Sequence, residues 1–416
     1  MPPAATARSL AWKCLQRWSR GGVFAETLVA HAAAEHKLPP QERALLQAIV
    51  YDTLRNLSRL DHMRKALRPA PLEEGARWLV LMGLCQIFVM HQAEHAAVNE
   101  TVSLAPARVR GVINGMLRNA LRRKAEFEAE LPALPPAIRY STPNWLVKRW
   151  VQEFGEEETL SMLAWNIQTP PVYLRLNPAA AQPLVQEPAD WEPLEGDDKK
   201  LWRRLRGPLP MAALDAGQVY IADPSTRYCV ALLNPQRGER ILDTCAAPGG
   251  KSAAMIAATM GDIHLLATDV EAHRLAPLRE NLLKRAGGRD VTVAEHDWSN
   301  PCPPAWQGAF DAVLLDVPCS NSGVLQRRVD ARWRLSAEEI SRLAALQSRI
   351  LENACAAVRP GGRLVYSTCS VDREEDRDVV DDFLRRHPEY RLVQDYLALP
   401  HREQADGAYA ALLQRA

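Results

Sequence analysis

The chain has 416 residues, 47% of them hydrophobic and 24% charged, with a formal net charge of +1; this is the balance of a globular protein with room for two or three domains. Its most apolar run, Trp78 to Met90, is interrupted by Gly83 and Gln86 and falls short of the roughly 18 residues of a membrane span, so a buried core helix is expected there and no membrane partner. The eight cysteines contain no CxxC pair, which argues against a disulfide framework or a structural zinc site; with no apolar stretch of a secretory signal at the start, a cytoplasmic protein without bound metal is expected.

Residues 1 to about 130 predict helices throughout. Leu10, Cys14 and Trp18 recur at helical spacing, as do Leu46, Ile49, Val50 and Leu54, and no alternating pattern interrupts them. From Thr101 to Lys124 there is no acid, while Arg108, Arg110, Arg118, Arg122, Arg123 and Lys124 are basic. Further basic clusters are the acid-free stretch Leu131 to Gln152, with Arg139, Lys148 and Arg149 beside Tyr140, Trp145 and Trp150, then KKLWRRLR at 199–206 and QRRVDARWR at 326–334. Such runs, two of them interleaved with aromatics, suit a polyanion better than the net charge suggests. The prolines at 132, 135, 136 and 143 predict an extended linker and a domain boundary near 130. Residues 131–235 then read as linker plus a mixed α/β extension, with a short helix in WLVKRWVQEFG ended by Gly155, a strand in PVYLRLNP, and a surface-running stretch at 181–198.

From Glu239 the rhythm is regular. ERILDTC, IHLLATD, VTVAEHD, FDAVLLD and GRLVYST read as strands, with helices at KSAAMIAATM, about 272–286 and 337–358 between them. Alternation of this kind implies an α/β domain over 236–416 with a mostly parallel, doubly covered sheet of Rossmann type, whose ligands bind beyond the carboxyl ends of the strands. DTCAAPGGKS, at 243–252, joins the first strand to the first helix. Gly249 and Gly250 let the backbone turn tightly at a helix start. The stretch is neither GxGxxG nor GxxxxGK[ST], so a dinucleotide or triphosphate fits poorly and a ribose-bearing cofactor without a phosphate chain, S-adenosyl-L-methionine, fits better. Asp243, Asp269, Asp297 and Asp316 each close a strand. Asp269 sits where a carboxylate accepts from ribose hydroxyls, and Asp297 close to where an adenine would lie.

Two thiols share those strand ends, Cys319 in DVPCSNSGV and Cys369 in YSTCS. Methyl transfer to carbon 5 of a pyrimidine needs a thiolate that adds to carbon 6, an acid near the Watson–Crick edge, and a second group that assists release. Cys369, Asp316 and Cys319 meet those needs, whereas Cys14, Cys85, Cys229, Cys302 and Cys355 read as inert core thiols.

At this point LDTCAAPGGKS, ATDV, LLDVPCSNSGV and VYSTCS resemble, in order, the motifs of the RNA cytosine-5 methyltransferases. The resemblance implies that Cys369 is the nucleophile and Cys319 assists elimination. It implies that Cys245, Ala246, Ala247, Pro248, Gly249, Gly250 and Lys251, with Asp269, Asp297 and Asp316, hold the cofactor, and that Asp316 also addresses the cytosine. FAETLVAHAA, ERALLQAIVYDTLRN, LMGLCQIFVMHQAEHAAVNETVSLA and GVINGMLRNALRR resemble a NusB-type helical RNA-binding domain, and DGAYAALL a final strand pair. A NusB-like domain joined to this catalytic domain is a layout of small-subunit ribosomal RNA methyltransferases. The family more often has a His-Pro-Asp-like segment where this chain reads QRRVDARWRL, and aromatics where it has Ala408. The resulting expectation is a monomeric enzyme acting on small-subunit ribosomal RNA rather than DNA. The alternatives are the same chemistry on transfer RNA, or an RNA-binding assembly factor without turnover.

Overall fold

The computed structural model describes residues 6–416 except 179, 181, 198–199 and 287–289. Lys199, the first residue of the predicted basic cluster at 199–206, therefore lies outside the described residues, as do the chain's first five. Met1–Gln168 together with Leu325–Arg334 forms one compact unit, and Thr169–Val324 with Leu335–Ala416 forms the other.

The first unit is helical. Thr6 opens helix Ala7–Ser19 with a reciprocal capping box to Ser9. The apolar run becomes helix Glu74–Phe88, buried from Trp78 to Phe88. Gln86, the polar break in it, is satisfied inside: its amide donates to Thr101 Oγ1 at 3.0 Å and its carbonyl accepts from Arg8 at 2.7 Å. Among the described residues no helix is long and apolar enough to cross a membrane. The proline-rich stretch differs from the expected extended linker. It folds into a 3-10 turn at Leu131–Ala133 and a short helix at Pro136–Arg139, followed by helices Asn144–Phe154 and Glu156–Asn166. Each proline there lies at or before a first helical turn, where its missing N–H has no partner to lose.

In the second unit, β1 (Val172–Leu176), β2 (Trp191–Pro193), β3 (Trp202–Leu205) and β4 (Val219–Ile221) form an antiparallel sheet ordered β2-β3-β1-β4. The strands that follow are β5 (Arg240–Asp243), β6 (His264–Asp269), β7 (Val291–Glu295), β8 (Phe310–Asp316), β9 (Val358–Thr368), β10 (Tyr390–Ala398) and β11 (Ala408–Arg415). They make a seven-stranded sheet ordered β10-β11-β9-β8-β5-β6-β7. The run β9-β8-β5-β6-β7 is parallel, and β11 enters antiparallel to both β9 and β10. Order reverses at β5, so the loop after β5 and the loop after β8 leave the sheet side by side, the switch point at which such sheets bind ligands. Apolar residues cover both faces, among them Leu242, Val313, Leu315 and Leu364 on one and Ile241, Ala312, Leu314 and Val365 on the other. Ala408 is buried at the start of β11. The predicted helix 337–358 is shorter, Ala337–Ala354, because Val358 already belongs to β9.

Candidate active site

β8 ends at Asp316 and β9 at Thr368, paired in parallel with Asp316 opposite Ser367, so the turns carrying Cys319 and Cys369 are neighbours. Their Sγ atoms lie 2.9 Å apart. The Cys369 N–H donates to Cys319 Sγ at 3.3 Å, and Cys369 Sγ donates to Asn321 Oδ1 at 3.3 Å. Cys319 is buried and Cys369 half-buried. The neighbouring Cys369 sulfur, then burial, push the Cys319 thiol well above its ordinary value, so Cys319 keeps its proton. The remaining cysteines behave as core residues: Cys14, Cys85, Cys229, Cys302 and Cys355 are buried, and burial raises the thiol of each.

The loop after β5 is tied to β6 and to the helix that follows β6, Ala272–Ala286. Ala246 N–H donates to Thr268 O at 2.8 Å, Ala247 N–H to Asp269 Oδ2 at 3.1 Å, and Asn281 to Pro248 O at 2.9 Å. Gly249 has φ +103°, and a Cβ there would meet Leu278 at 3.0 Å, so the turn requires glycine. Helix Gly250–Ala258 follows at once. Cys245 Sγ contacts the Thr244 hydroxyl at 3.8 Å and its thiol, pushed up to about 12 by burial, stays protonated. Lys251 Nζ contacts Asp316 Oδ2 at 2.6 Å. Burial alone would lower the Lys251 ammonium, but Asp316 outweighs it and the net direction is upward, keeping the charge.

The strand-end acids are not equivalent. Asp316 is half-buried beside Lys251, and Asp269 is 3% exposed with Oδ1 accepting from Glu271 N–H at 3.2 Å. Asp297 is exposed just past β7 and accepts from Ser299 N–H at 2.8 Å. Asp243 is 1% exposed: Ser252 donates to its Oδ2 at 2.6 Å, and its Oδ1 is buried with no hydrogen-bond partner. Sequence periodicity grouped these acids but could not separate a submerged one from an open one.

Sequence reasoning missed the lattice beneath the cysteines. Glu375, fully buried, accepts from Ser320 N–H at 2.8 Å, Ser370 Oγ–H at 2.7 Å and Gln347 Nε2 at 2.9 Å. Ser322 and Ser370 hydroxyls meet at 3.0 Å. The only signal was the serine flanking each cysteine and the acidic REED after YSTCS.

One predicted basic cluster is corrected. Of QRRVDARWR, Arg332 is fully buried, donating to the carbonyls of Tyr140, Ser141, Asn166 and Leu325, and Arg334 lies over Phe24 and bonds the Val23 carbonyl. These two side chains are engaged in contacts within the helical unit, whereas Arg328 of the same cluster is half exposed and paired with Glu26. Arg203, in the 199–206 cluster, is likewise buried against Glu187. By contrast, Arg118 and Arg122 on helix Ala107–Arg122 are exposed, bonded to Asn114 and Asn119.

Residues 230–414 match the family model described as 16S rRNA methyltransferase RsmB/F, residues 5–122 match the NusB family, and residues 142–183 match an RsmF/B-like ferredoxin-like domain. Among curated proteins, the chain is 34% identical to the ribosomal RNA small subunit methyltransferase B of Yersinia enterocolitica, over 98% of each chain. It is 35% identical to that of Vibrio cholerae, over 92% of each. Among solved structures, a methyltransferase homolog protein from Pyrococcus horikoshii shares the fold, with a TM-score of 0.57 at 24% identity over 68% of this chain and 98% of its own. A NusB-like helical segment followed by a Rossmann-like methyltransferase sheet, matched at this identity along nearly the whole length, places the chain in the ribosomal RNA small subunit methyltransferase B family, and the chain is a methyltransferase of that family.

Proposed function

We propose that this protein methylates carbon 5 of a cytosine in small-subunit ribosomal RNA, using S-adenosyl-L-methionine and a transient bond between Cys369 and carbon 6. The observation that carries the reading is the pair of sulfurs 2.9 Å apart just past the ends of β8 and β9, with Cys319 three residues past Asp316. The loop after β5 fits the cofactor: a glycine turn at Gly249, a helix start at Gly250, and a carboxylate, Asp269, that has lone pairs left after its backbone bonds. Residues Cys245 to Lys251 with Asp269, Asp297 and Asp316 would hold it, and when bound it supplies an electrophilic methyl group.

The chain's own residues do the rest. The Cys369 thiolate forms a bond to carbon 6, and the electron pair of the 5,6 double bond moves to carbon 5, which becomes nucleophilic. Asp316, fixed by Lys251, hydrogen-bonds the Watson–Crick edge of the base and favours that addition. Once carbon 5 carries the methyl group it loses its proton to solvent. The electron pair restores the double bond as the carbon–sulfur bond breaks, and Cys319, held as a thiol, hydrogen-bonds the departing sulfur. Exposed Arg118 and Arg122 would contact phosphates, offsetting the few kcal/mol needed to extrude a base. In this reading, residues 1–130 and 131–235 bind RNA and 236–416 carry the chemistry in a cytoplasmic monomer.

The test is incubation with unmodified small-subunit ribosomal RNA, or transfer RNA, and methyl-labelled cofactor. Label is expected in 5-methylcytidine of the ribosomal RNA, lost with Cys369→Ala, while Cys319→Ala accumulates a protein–RNA adduct on a denaturing gel. Label elsewhere, or turnover surviving Cys369→Ala, overturns the reading.

A further inference from the structure

Residues 320 and 370 each follow one of the two cysteines, and a single carboxylate grips both. Glu375 Oε1 accepts the Ser320 N–H at 2.8 Å and Gln347 Nε2 at 2.9 Å, and Glu375 Oε2 accepts the Ser370 hydroxyl at 2.7 Å. Gln347 also donates to Pro318 O at 3.0 Å, bracing the residue before Cys319. Because the Ser370 hydroxyl proton goes to Glu375, its lone pairs accept from Ser322 Oγ at 3.0 Å and Asp372 N–H at 3.0 Å. Ser322 Oγ in turn accepts from Val371 N–H at 3.1 Å. Ser322, Ser370 and Glu375 thus form one donor-to-acceptor run from the PC turn into the carboxylate, while Val371 N–H and Asp372 N–H tie the Cys369 turn to the same two hydroxyls. A neutral amide in its place would turn a donor toward Ser370 and break the chain.

We infer that Glu375 is a positioning residue that sets the spacing of the Cys319 and Cys369 sulfurs by clamping the residue after each. Its role in catalysis rests on the function proposed above; its role in spacing does not. A carboxylate that is fully buried and raised by that burial is costly to keep as an anion, and among the described residues the donors that offset this cost sit on the two cysteine turns and on Gln347. A residue needed for folding alone has no reason to join these particular turns through both of its oxygens.

The sulfur spacing itself can be read without RNA or cofactor. Hydrogen peroxide oxidises two neighbouring thiols to a disulfide and is reduced to two waters, at a rate governed by how the sulfurs approach. The Cys319–Cys369 linkage in the full-length chain is quantified by peptide mass spectrometry, with thermal unfolding alongside. Glu375→Ala is expected to remain folded and to form that disulfide about tenfold more slowly than wild type, with kcat for methyl transfer lowered and KM for RNA unchanged. Where Glu375→Ala fails to fold, Glu375→Gln, which retains one acceptor oxygen, carries the same comparison. An unchanged disulfide rate in the folded variant overturns the inference. A slowed rate in a protein that methylates no cytosine upholds the spacing role and defeats the proposed chemistry instead.

Discussion

Asp243 shows what one buried carboxylate does to the whole protein. Burial, opposed by the Ser252 hydrogen bond and aided by repulsion from Asp316, pushes it up to about 7. The native state then holds a proton through a window, from its ordinary value of 3.8 to about 7, in which the unfolded chain has released it. Stability from this group is therefore present in full at the acid end and is lost as pH rises through the window. At about 1.4 kcal/mol per pH unit the whole titration amounts to about 4 kcal/mol. Asp376 and Glu375, also raised by burial, add in the same direction. Wild type should melt at a higher temperature at pH 5.5 than at pH 8 through these groups, and Asp243→Asn should shrink that difference. A melting curve with the same pH dependence in the variant would contradict the assignment. The cysteines illustrate the limit of sequence at this scale. Spacing singled out Cys319 and Cys369 and the family resemblance gave them different roles, but only the structure brings their sulfurs to 2.9 Å and raises the Cys319 thiol.

Among the elements, the turn after β8 depends on contacts far along the chain. A Cβ on Gly323 would lie 2.5 Å from the Gly407 carbonyl oxygen and 2.8 Å from that of Cys369. Backbone, unlike a flexible side chain, does not yield cheaply. Gly323 N–H donates to Cys369 O at 3.0 Å, and Gly407 N–H donates to Gly323 O at 2.8 Å, so three segments meet at one glycine. Gly323→Ala should cost about 2 kcal/mol, measured by denaturant unfolding, and slow methyl transfer by parting the cysteine turns. A variant with wild-type stability and rate would show that the turn can adjust. The DVPCSNSGV motif announced a cysteine at a strand end; it did not announce that its serines and glycine join residues nearly fifty positions later. Those partners are set by the β8–β9 pairing, a tertiary fact.

At the scale of the molecule, the chain leaves the α/β unit at Leu325, packs ten residues into the helical unit, and returns. Val329 belongs to the helical core. Asp330 Oδ2 accepts from Ala25 N–H at 2.8 Å and Trp18 Nε1 at 3.1 Å, and Trp333 donates to Leu54 O at 2.9 Å. Arg332, driven down to about 9 by burial and by Arg55, is still charged at neutral pH and has carbonyls rather than a carboxylate as partners. Arg332→Ala would strand those carbonyls in a cavity, and a loss of about 3 kcal/mol or more is expected in denaturant unfolding. A loss below about 1 kcal/mol would mean that water replaces the guanidinium. The sequence by itself determined the helical first part, the parallel α/β rhythm, the glycine turn after β5 and the two thiols at strand ends, because period and turn chemistry are local properties of a chain. What only the tertiary structure decided was which polar residues are submerged. Arg332 reads as one more basic residue of a polyanion-binding run until packing removes it from water, and Glu375 carries no signal of its own in the sequence. Burial depends on neighbours distant in sequence, and it is burial that turns a charge from a solvated ornament into a structural clamp.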